Sequence, residues 1–285
     1  IAGQAVHEQY GGVVPELASR AHQENIIPVV QTALQTAQLS LSDLDAIAFT
    51  QGPGLMGSLT VGTSFAKALA LALDLPLVGV HHMKAHILAH FIADASDAAP
   101  TFPFLCLTVS GGHTQIVRIN DALDMQVIGS TIDDAAGEAF DKGAKLLGLP
   151  YPGGALIEKQ ALQGDVRKFV FPRGIPEKAD LRMSFSGLKT ALRYQLEKMS
   201  DTEVAAAMPD LCAGYQHAII EQLTSKAGAV LDLGGYKSVG LSGGVANNRT
   251  LRTRLTNAAL QRGLPMLVAE PNARRQGRRR AHHCR

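Results

Sequence analysis

The sequence predicts an α/β protein divided into two lobes, and three observations carry that expectation. Short aliphatic runs fit for buried strands alternate with longer stretches at helical spacing. Glycine turns recur at the carboxyl ends of those runs, at Gly52–Gly57, Ser110–Gly112 and Ser242–Gly244, where open α/β sheets place their ligand crevices. Near residue 100 the composition changes to small and acidic residues, Asp94 to Ala99, and then to Pro100-Thr101-Phe102-Pro103, which marks a lobe boundary. The expected division is 1–100 for the first lobe, 101–270 for the second and 271–285 for an arginine-rich tail.

The bulk properties narrow the class. At 285 residues, 46% hydrophobic and 5% aromatic with no Trp, the chain reads as an ordinary α/β protein built on small aliphatics. No apolar run reaches the roughly 18 residues of a membrane span, and Ile1-Ala2-Gly3-Gln4 lacks the basic start of a signal peptide, so no membrane partner is expected. Three scattered cysteines, Cys106, Cys212 and Cys284, fit a reducing cytoplasm without a disulfide framework. The net charge of +2 conceals a division, since the tail from Pro271 holds six of the 27 basic residues and no acid. The remainder is mildly acidic, so overall charge does not argue for nucleic-acid binding.

Taken in order, Val13-Val14-Pro15-Glu16 leads into a helix whose apolar residues continue to Leu39, with Pro28 expected to split it in two. Ser42 is a candidate cap for a short turn before the strand Ala46–Thr50. Gln51-Gly52-Pro53-Gly54 then joins strand to helix, with either backbone amides open to a ligand or a plain tight turn. The helix after it is expected over Val61–Leu73, and Leu77–Val80 is a further buried strand.

Directly after that strand, His82 and His86 fall four residues apart on one helix face, where they can share a metal ion or stand as two solvated polar residues. The residue after His82 is Met83 where the helical zinc-protease pattern needs a glutamate, which disfavours a peptidase. In the second lobe, Phe104–Val109 and Gln115–Arg118 form a hairpin with a Ser110-Gly111-Gly112 tip, suited to cradling a phosphate or to a turn without a ligand. A phosphate site there calls for a positive φ at Gly111. Asp133, Asp134, Glu138 and Asp141 open the next helix; the last three share a face that either binds a ribose, a metal or a cation, or is simply solvated. Ser184 and Ser186 are candidate caps of a helix running to Glu197, and a region helical from Glu203 to Leu231, broken near Pro209, leads to the strand Ser238–Leu241 and the loop Ser242–Arg249.

Read together, Tyr10–Arg20, Gly52–Leu55, His81-His82-Met83 with His86, Ser110–Thr114, Asp133–Lys142, Ser184–Thr190 and Gly243–Val245 resemble the TsaD family of bacterial tRNA N6-adenosine threonylcarbamoyltransferases. The resemblance implies an actin, hsp70 and sugar-kinase-like (ASKHA) fold with mixed sheets in two α/β lobes. It implies that His82 and His86 are two ligands of one divalent metal per subunit, Fe2+ or Zn2+. It implies that Thr108, Val109, Ser110, Gly111 and Gly112 hold the phosphate of threonylcarbamoyl-AMP, and that Asp141, Gly154, Glu158 and Asn248 contact its nucleoside. The implied reaction transfers the threonylcarbamoyl group to the N6 amine of the adenosine next to the anticodon, position 37, in tRNAs reading codons that begin with A. Its implied partners are tRNA, TsaB and TsaE, with TsaC supplying the acyl donor, in the cytoplasm.

The chain departs from the family pattern at both ends. It starts after the family's opening strand and acidic loop, so the first lobe is expected to be incomplete, and Pro271-Asn272-Ala273-Arg274 stands where the family carries a metal-binding aspartate. The alternative reading is therefore a catalytically deficient member that only binds a nucleotide or a partner. A sugar-kinase-like ATPase is a third reading, weakened because its phosphate loop would precede Ile1.

Overall fold

The computed structural model describes residues 13–92 and 99–269. The tail 271–285, Tyr10-Gly11-Gly12 of the first motif, Cys284, and Asp94 to Ala98 of the expected boundary lie outside the described residues. The chain divides into two compact units between Ala85 and His86, earlier than residue 100. Ile87 belongs to a buried cluster with Phe104, Cys106, Val117 and Ile119, which explains why the stretch after Ala85 belongs with the second unit.

In the first unit, helix α1 (Pro15–Ala37) is followed by a 3-10 turn (Leu41–Asp43), strand β1 (Ile47–Gly52), helix α2 (Met56–Leu73) and strand β2 (Leu77–His81). β1 and β2 pair in parallel as a two-stranded sheet, the arrangement a β-α-β unit must adopt. Several expectations are corrected here. α1 runs unbroken through Pro28, because one lost backbone bond in a 23-residue helix is outweighed by the turns on either side. The capping residue before the 3-10 turn is Ser40, not Ser42: Ser40 pairs with Asp43 in a reciprocal capping box. α2 begins five residues before the expected start and, at 18 residues, is long and apolar enough by length and composition to cross a membrane, against the expectation that no segment is. It nevertheless carries Lys67 and packs on α1 and β1.

The second unit is organised on a mixed five-stranded sheet, in the order β5-β4-β3-β6-β7. Strands β3 (Phe104–Val109), β4 (Thr114–Ile119) and β5 (Met125–Ser130) form an antiparallel meander, and β6 (Ser238–Ser242) and β7 (Met266–Val268) add in parallel beside β3. β3 is buried along its whole length, as its run of residues apolar but for Thr108 requires. Leu105, Leu107 and Val109 point into a core shared with helices α4 (Ala136–Leu146), α5 (Gly153–Ala161), α6 (Ser186–Leu196), α7 (Asp201–Asp232) and α8 (Arg249–Leu260). Phe104 and Cys106 point to the other face, where Phe91 and Phe102 stack and Phe104 meets both rings at an angle, forming an aromatic cluster.

α7 is the spine of this unit. Ser200 and Glu203 form a capping box at its start, Pro209 does not interrupt its 32 residues, contrary to expectation, and from Leu211 onward most of its side chains are buried. Lys226 sits in that buried stretch with its ammonium donating to the carbonyls of Glu177 and Asp180, each at 2.5 Å. A buried cation needs such partners, and here it pins the long irregular segment before α6 to the core. Lys226→Met keeps the stem and removes the donors; we expect a loss of about 2 kcal/mol in urea-unfolding stability from the two charged hydrogen bonds. An unchanged midpoint would mean that the segment is held by other contacts.

Candidate functional site

The hairpin expected at Ser110–Gly112 is present and its backbone is closely held. Ser110 N–H donates to the His113 carbonyl at 2.8 Å, and His113 N–H donates to Ser110 Oγ at 3.1 Å. Two glycines on other elements clamp it. A Cβ at Gly137, in the first turn of α4, would lie 2.6 Å from the Ser110 carbonyl oxygen, and one at Gly243 would overlap the Val109 carbonyl. Gly243 also adopts φ +93°, which an L side chain rarely takes. The left-handed glycine thus belongs to the neighbouring loop, and the positive φ expected at Gly111 is corrected. Gly111 and Gly112 instead face open space, with nothing within 4 Å of a built Cβ. Thr108 and Val109 are buried and paired within the sheet; the Thr108 hydroxyl lies 3.0 Å from Ser242 Oγ and ties β3 to β6, so neither side chain is open to a ligand.

The four carboxylates of 133–141 do not form one acidic face. Asp133 accepts from Ser184 Oγ at 2.5 Å, Phe185 N at 2.8 Å, Ser186 Oγ at 2.7 Å and Ser186 N at 3.3 Å. It therefore caps the N-terminus of α6, and the expectation that Ser184 and Ser186 do so is corrected: their hydroxyls donate to the acid. Burial works to raise the Asp133 pKa, but these hydrogen bonds outweigh it and hold the carboxyl below its ordinary value. Asp134 and Glu138 share Lys142, whose ammonium lies 2.6 and 3.0 Å from them. Asp141 Oδ1 accepts from Gly153 N at 2.8 Å, with the Gly154 amide also facing it, and so caps α5. Burial is the main cause raising the Asp141 pKa; the two amides oppose it and the charge of Glu138 adds to it.

These bonds bring together the four residues expected at a nucleoside. Asp141 and Gly154 meet at the start of α5, and one turn along that helix Glu158 Oε1 accepts from Arg249 N at 2.6 Å, at the start of α8. Asn248 is the N-cap of α8: its Oδ1 accepts from Leu251 N at 2.9 Å, while its Nδ2 donates to Gln216 Oε1 at 2.7 Å. Sequence reasoning passed over Gln216 and the capping role of Asp133. Gln216 is one of two buried amides in a largely apolar helical pattern and carries no motif, whereas Asp133 stood in view with its partner 51 residues away.

His82 and His86 lie on helix α3 (His82–Leu88), half-buried and one turn apart as the spacing predicted. Nearby His81 is spent as a cap, its Nδ1 accepting from Lys84 N at 3.4 Å. His90 is buried with its Nδ1 2.9 Å from the Ile87 carbonyl. Two imidazoles suit two positions of a tetrahedral set, but among the described residues no group of three or more His, Cys, Asp or Glu side chains is placed to hold a metal ion. A different concavity, a groove of about 680 Å³ in the first unit, is lined mainly by apolar side chains of α1, β1 and α2, with His22, Asn25, Thr50 and Ser58 among them, and contains none of the expected site residues.

Against known proteins, residues 1–275 match the family described as TsaD, tRNA N6-adenosine threonylcarbamoyltransferase. A relative of that name from Christiangramia forsetii is 54% identical over 271 residues, covering 94% of this chain and 79% of its own. One from Cytophaga hutchinsonii is 51% identical over 271 residues, covering 94% and 78%. Among solved structures, HypF of T. kodakarensis superposes with a TM-score of 0.58 at 17% identity over 81% of this chain and 38% of its own, a likeness of fold alone. The fold is that of the actin, hsp70 and sugar-kinase class, as expected, although among the described residues only the five-stranded sheet is mixed and that of the first unit is parallel.

The Asp133 cap gives a pH prediction. A carboxyl whose folded pKa lies below its unfolded value of 3.8 contributes stability that is present above that value and lost as pH falls through the folded pKa. Asp133→Asn removes this contribution, so its stability loss, about 1 kcal/mol at pH 7, should shrink as unfolding is followed down to pH 3. A difference from wild type that stays constant from pH 7 to pH 3 would show that the charge of Asp133 does not hold α6.

Proposed function

Because the chain belongs to the tRNA N6-adenosine threonylcarbamoyltransferase family, we propose that it is an acyltransferase that moves the threonylcarbamoyl group of threonylcarbamoyl-AMP to the N6 amine of a tRNA adenosine. The observation that carries this reading is that one unit holds both the open Gly111-Gly112 backbone, packed against the start of α4 at Gly137, and the linked helix starts that bear Asp141, Gly154, Glu158 and Asn248. The adenosine is the one next to the anticodon, position 37, in tRNAs that read codons beginning with A. TsaC supplies the acyl donor and TsaB and TsaE assist, which sets the reaction in the cytoplasm.

The chemistry is acyl transfer. The N6 lone pair attacks the carbamoyl carbon, the bond from that carbon to the phosphate oxygen breaks, AMP leaves with the electron pair, and an N6 proton passes to solvent. Within the loop Thr108–Gly112, the open Gly111 and Gly112 backbone holds the AMP phosphate while the Ser110 amide stays on His113, and the paired starts of α5 and α8 hold the nucleoside. The carboxylates around them are engaged with helix ends and with Lys142, so this unit contributes mainly by binding and orientation. We assign His82 and His86 as two ligands of a divalent metal, Fe2+ or Zn2+, which when bound would polarise the acyl donor.

The test of function is formation of threonylcarbamoyl-adenosine on tRNA with TsaB, TsaE and TsaC present. Wild type should give product, while Gly111→Val, whose side chain would fill the open space beside the loop, should reduce AMP affinity at least about tenfold without moving the melting temperature. AMP binding without any product would favour the alternative, a member that binds but does not transfer. The metal assignment is checked separately by elemental analysis. With two protein ligands in view we expect well under one equivalent of zinc or iron per chain, abolished in His82→Ala; metal that survives that substitution lies elsewhere.

A further inference from the structure

Gln216 lies in the buried half of α7 beside Tyr215, at a position where the helical pattern calls for an apolar residue. It is 5% exposed, and a buried amide is costly unless both of its ends are bonded. Both have partners at the start of α8: Oε1 accepts from Asn248 Nδ2 at 2.7 Å, and Nε2 donates to Thr250 Oγ1 at 3.5 Å. The α8 cap does not need this. Asn248 Oδ1 already satisfies the Leu251 amide, and Glu158 satisfies that of Arg249. What Gln216 adds is a fixed orientation for the opposite end of Asn248. With Oδ1 on Leu251 and one Nδ2 hydrogen on Gln216, the donor that the Asn248 amide keeps for a ligand is its second Nδ2 hydrogen, whose direction those two bonds fix.

We propose that Gln216 is a positioning residue, which acts through Asn248 to aim that donor at an acceptor atom of a bound adenine nucleoside. The inference rests on the reading of Asn248 as a nucleoside contact. Without Gln216 the Asn248 cap persists, but the amino group loses its internal acceptor and its direction, so nucleotide affinity falls while the helix remains capped.

The experiment is calorimetric titration of the full chain with AMP. Gln216→Met keeps length and apolar volume without a good acceptor and should weaken binding about tenfold, as for loss of one well-aimed hydrogen bond. Gln216→Glu retains an acceptor at the same place and should restore most of the affinity. In an Asn248→Ala background, Gln216→Met should have no further effect. Wild-type affinity in Gln216→Met, equal losses in Met and Glu, or the same loss with and without Asn248 would each overturn the proposal. Should Gln216→Met fail to give a cooperative melt, Gln216→Glu and Thr250→Val decide: the first must bind near wild type, and the second, which removes the partner of Nε2, must weaken binding less than Asn248→Ala does. Failure of the wild type itself to bind AMP would remove the functional reading and this inference with it, a result distinct from tight binding that ignores residue 216.

Discussion

The second unit depends on carboxylates that cap helices other than their own. The first turn of a helix leaves backbone N–H groups without partners, and a partly buried helix start must find acceptors for them. Asp133 supplies them to α6, Asp141 to α5 and Glu158 to α8. Each negative charge also meets the positive end of a helix dipole, so one contact satisfies a hydrogen bond and an electrostatic preference together. Two of the three form a dependent series: α4 places α5 through Asp141, and α5 places α8 through Glu158. Misplacing the first would shift the rest, because a cap fixes the position and direction of the chain that enters the helix.

This network also sets what the candidate site can do. Four acids within nine residues invite the idea of a metal cage or an acid–base pair, yet each has a structural partner. The loop between β3 and β4 has the opposite character. Its beginning is clamped by Gly137 and Gly243, its two central glycines face open space, and the Thr108 side chain before it is turned into the sheet. A rigid backbone with an open face suits an anion whose position must not change during reaction, since amides fixed in advance need no reorganisation when charge develops on a leaving group. Burial raises the Asp141 pKa while two amides oppose it, so this carboxylate holds helix α5 without being pushed towards strong acidity.

Much of this was legible in the sequence wherever the signal was local. β3 is legible with its observed limits because a run of six residues, apolar but for Thr108, ends at Ser110-Gly111-Gly112, and the hairpin follows from that turn. β5 and β7 were missed: the first contains Gly129 and Gln126 on a sheet edge, and the second is three residues long, so neither has the period-2 pattern on which strand reading depends. The prolines misled in α1 and α7 because their local cost is real but is weighed against a whole helix. The roles of Asp133 and Asp141 were hidden for a different reason. A carboxylate near the start of a helix signals a cap for that helix, and nothing in the one-dimensional pattern says that its partner is the start of another helix 12 or 51 residues on.

The two units show how far an apolar run determines burial. Phe104–Val109 and Leu77–Val80 read alike, as strands to be covered on both faces, and both form strands. β3 is fully buried between helices and an aromatic cluster, whereas in β2 Leu77 and Val78 remain 37% and 48% exposed. β2 pairs only with β1 among the described residues, and two strands cannot enclose a core. The same shortage of covering layers explains the apolar groove along α1, β1 and α2, whose side chains are of the type that lines the second unit's core. Hydrophobic pattern therefore encodes a capacity for burial, and the number of packed layers decides whether it is realised. In the second unit that number suffices, which is why its glycine loop and helix starts are held at fixed positions and can be read as a site.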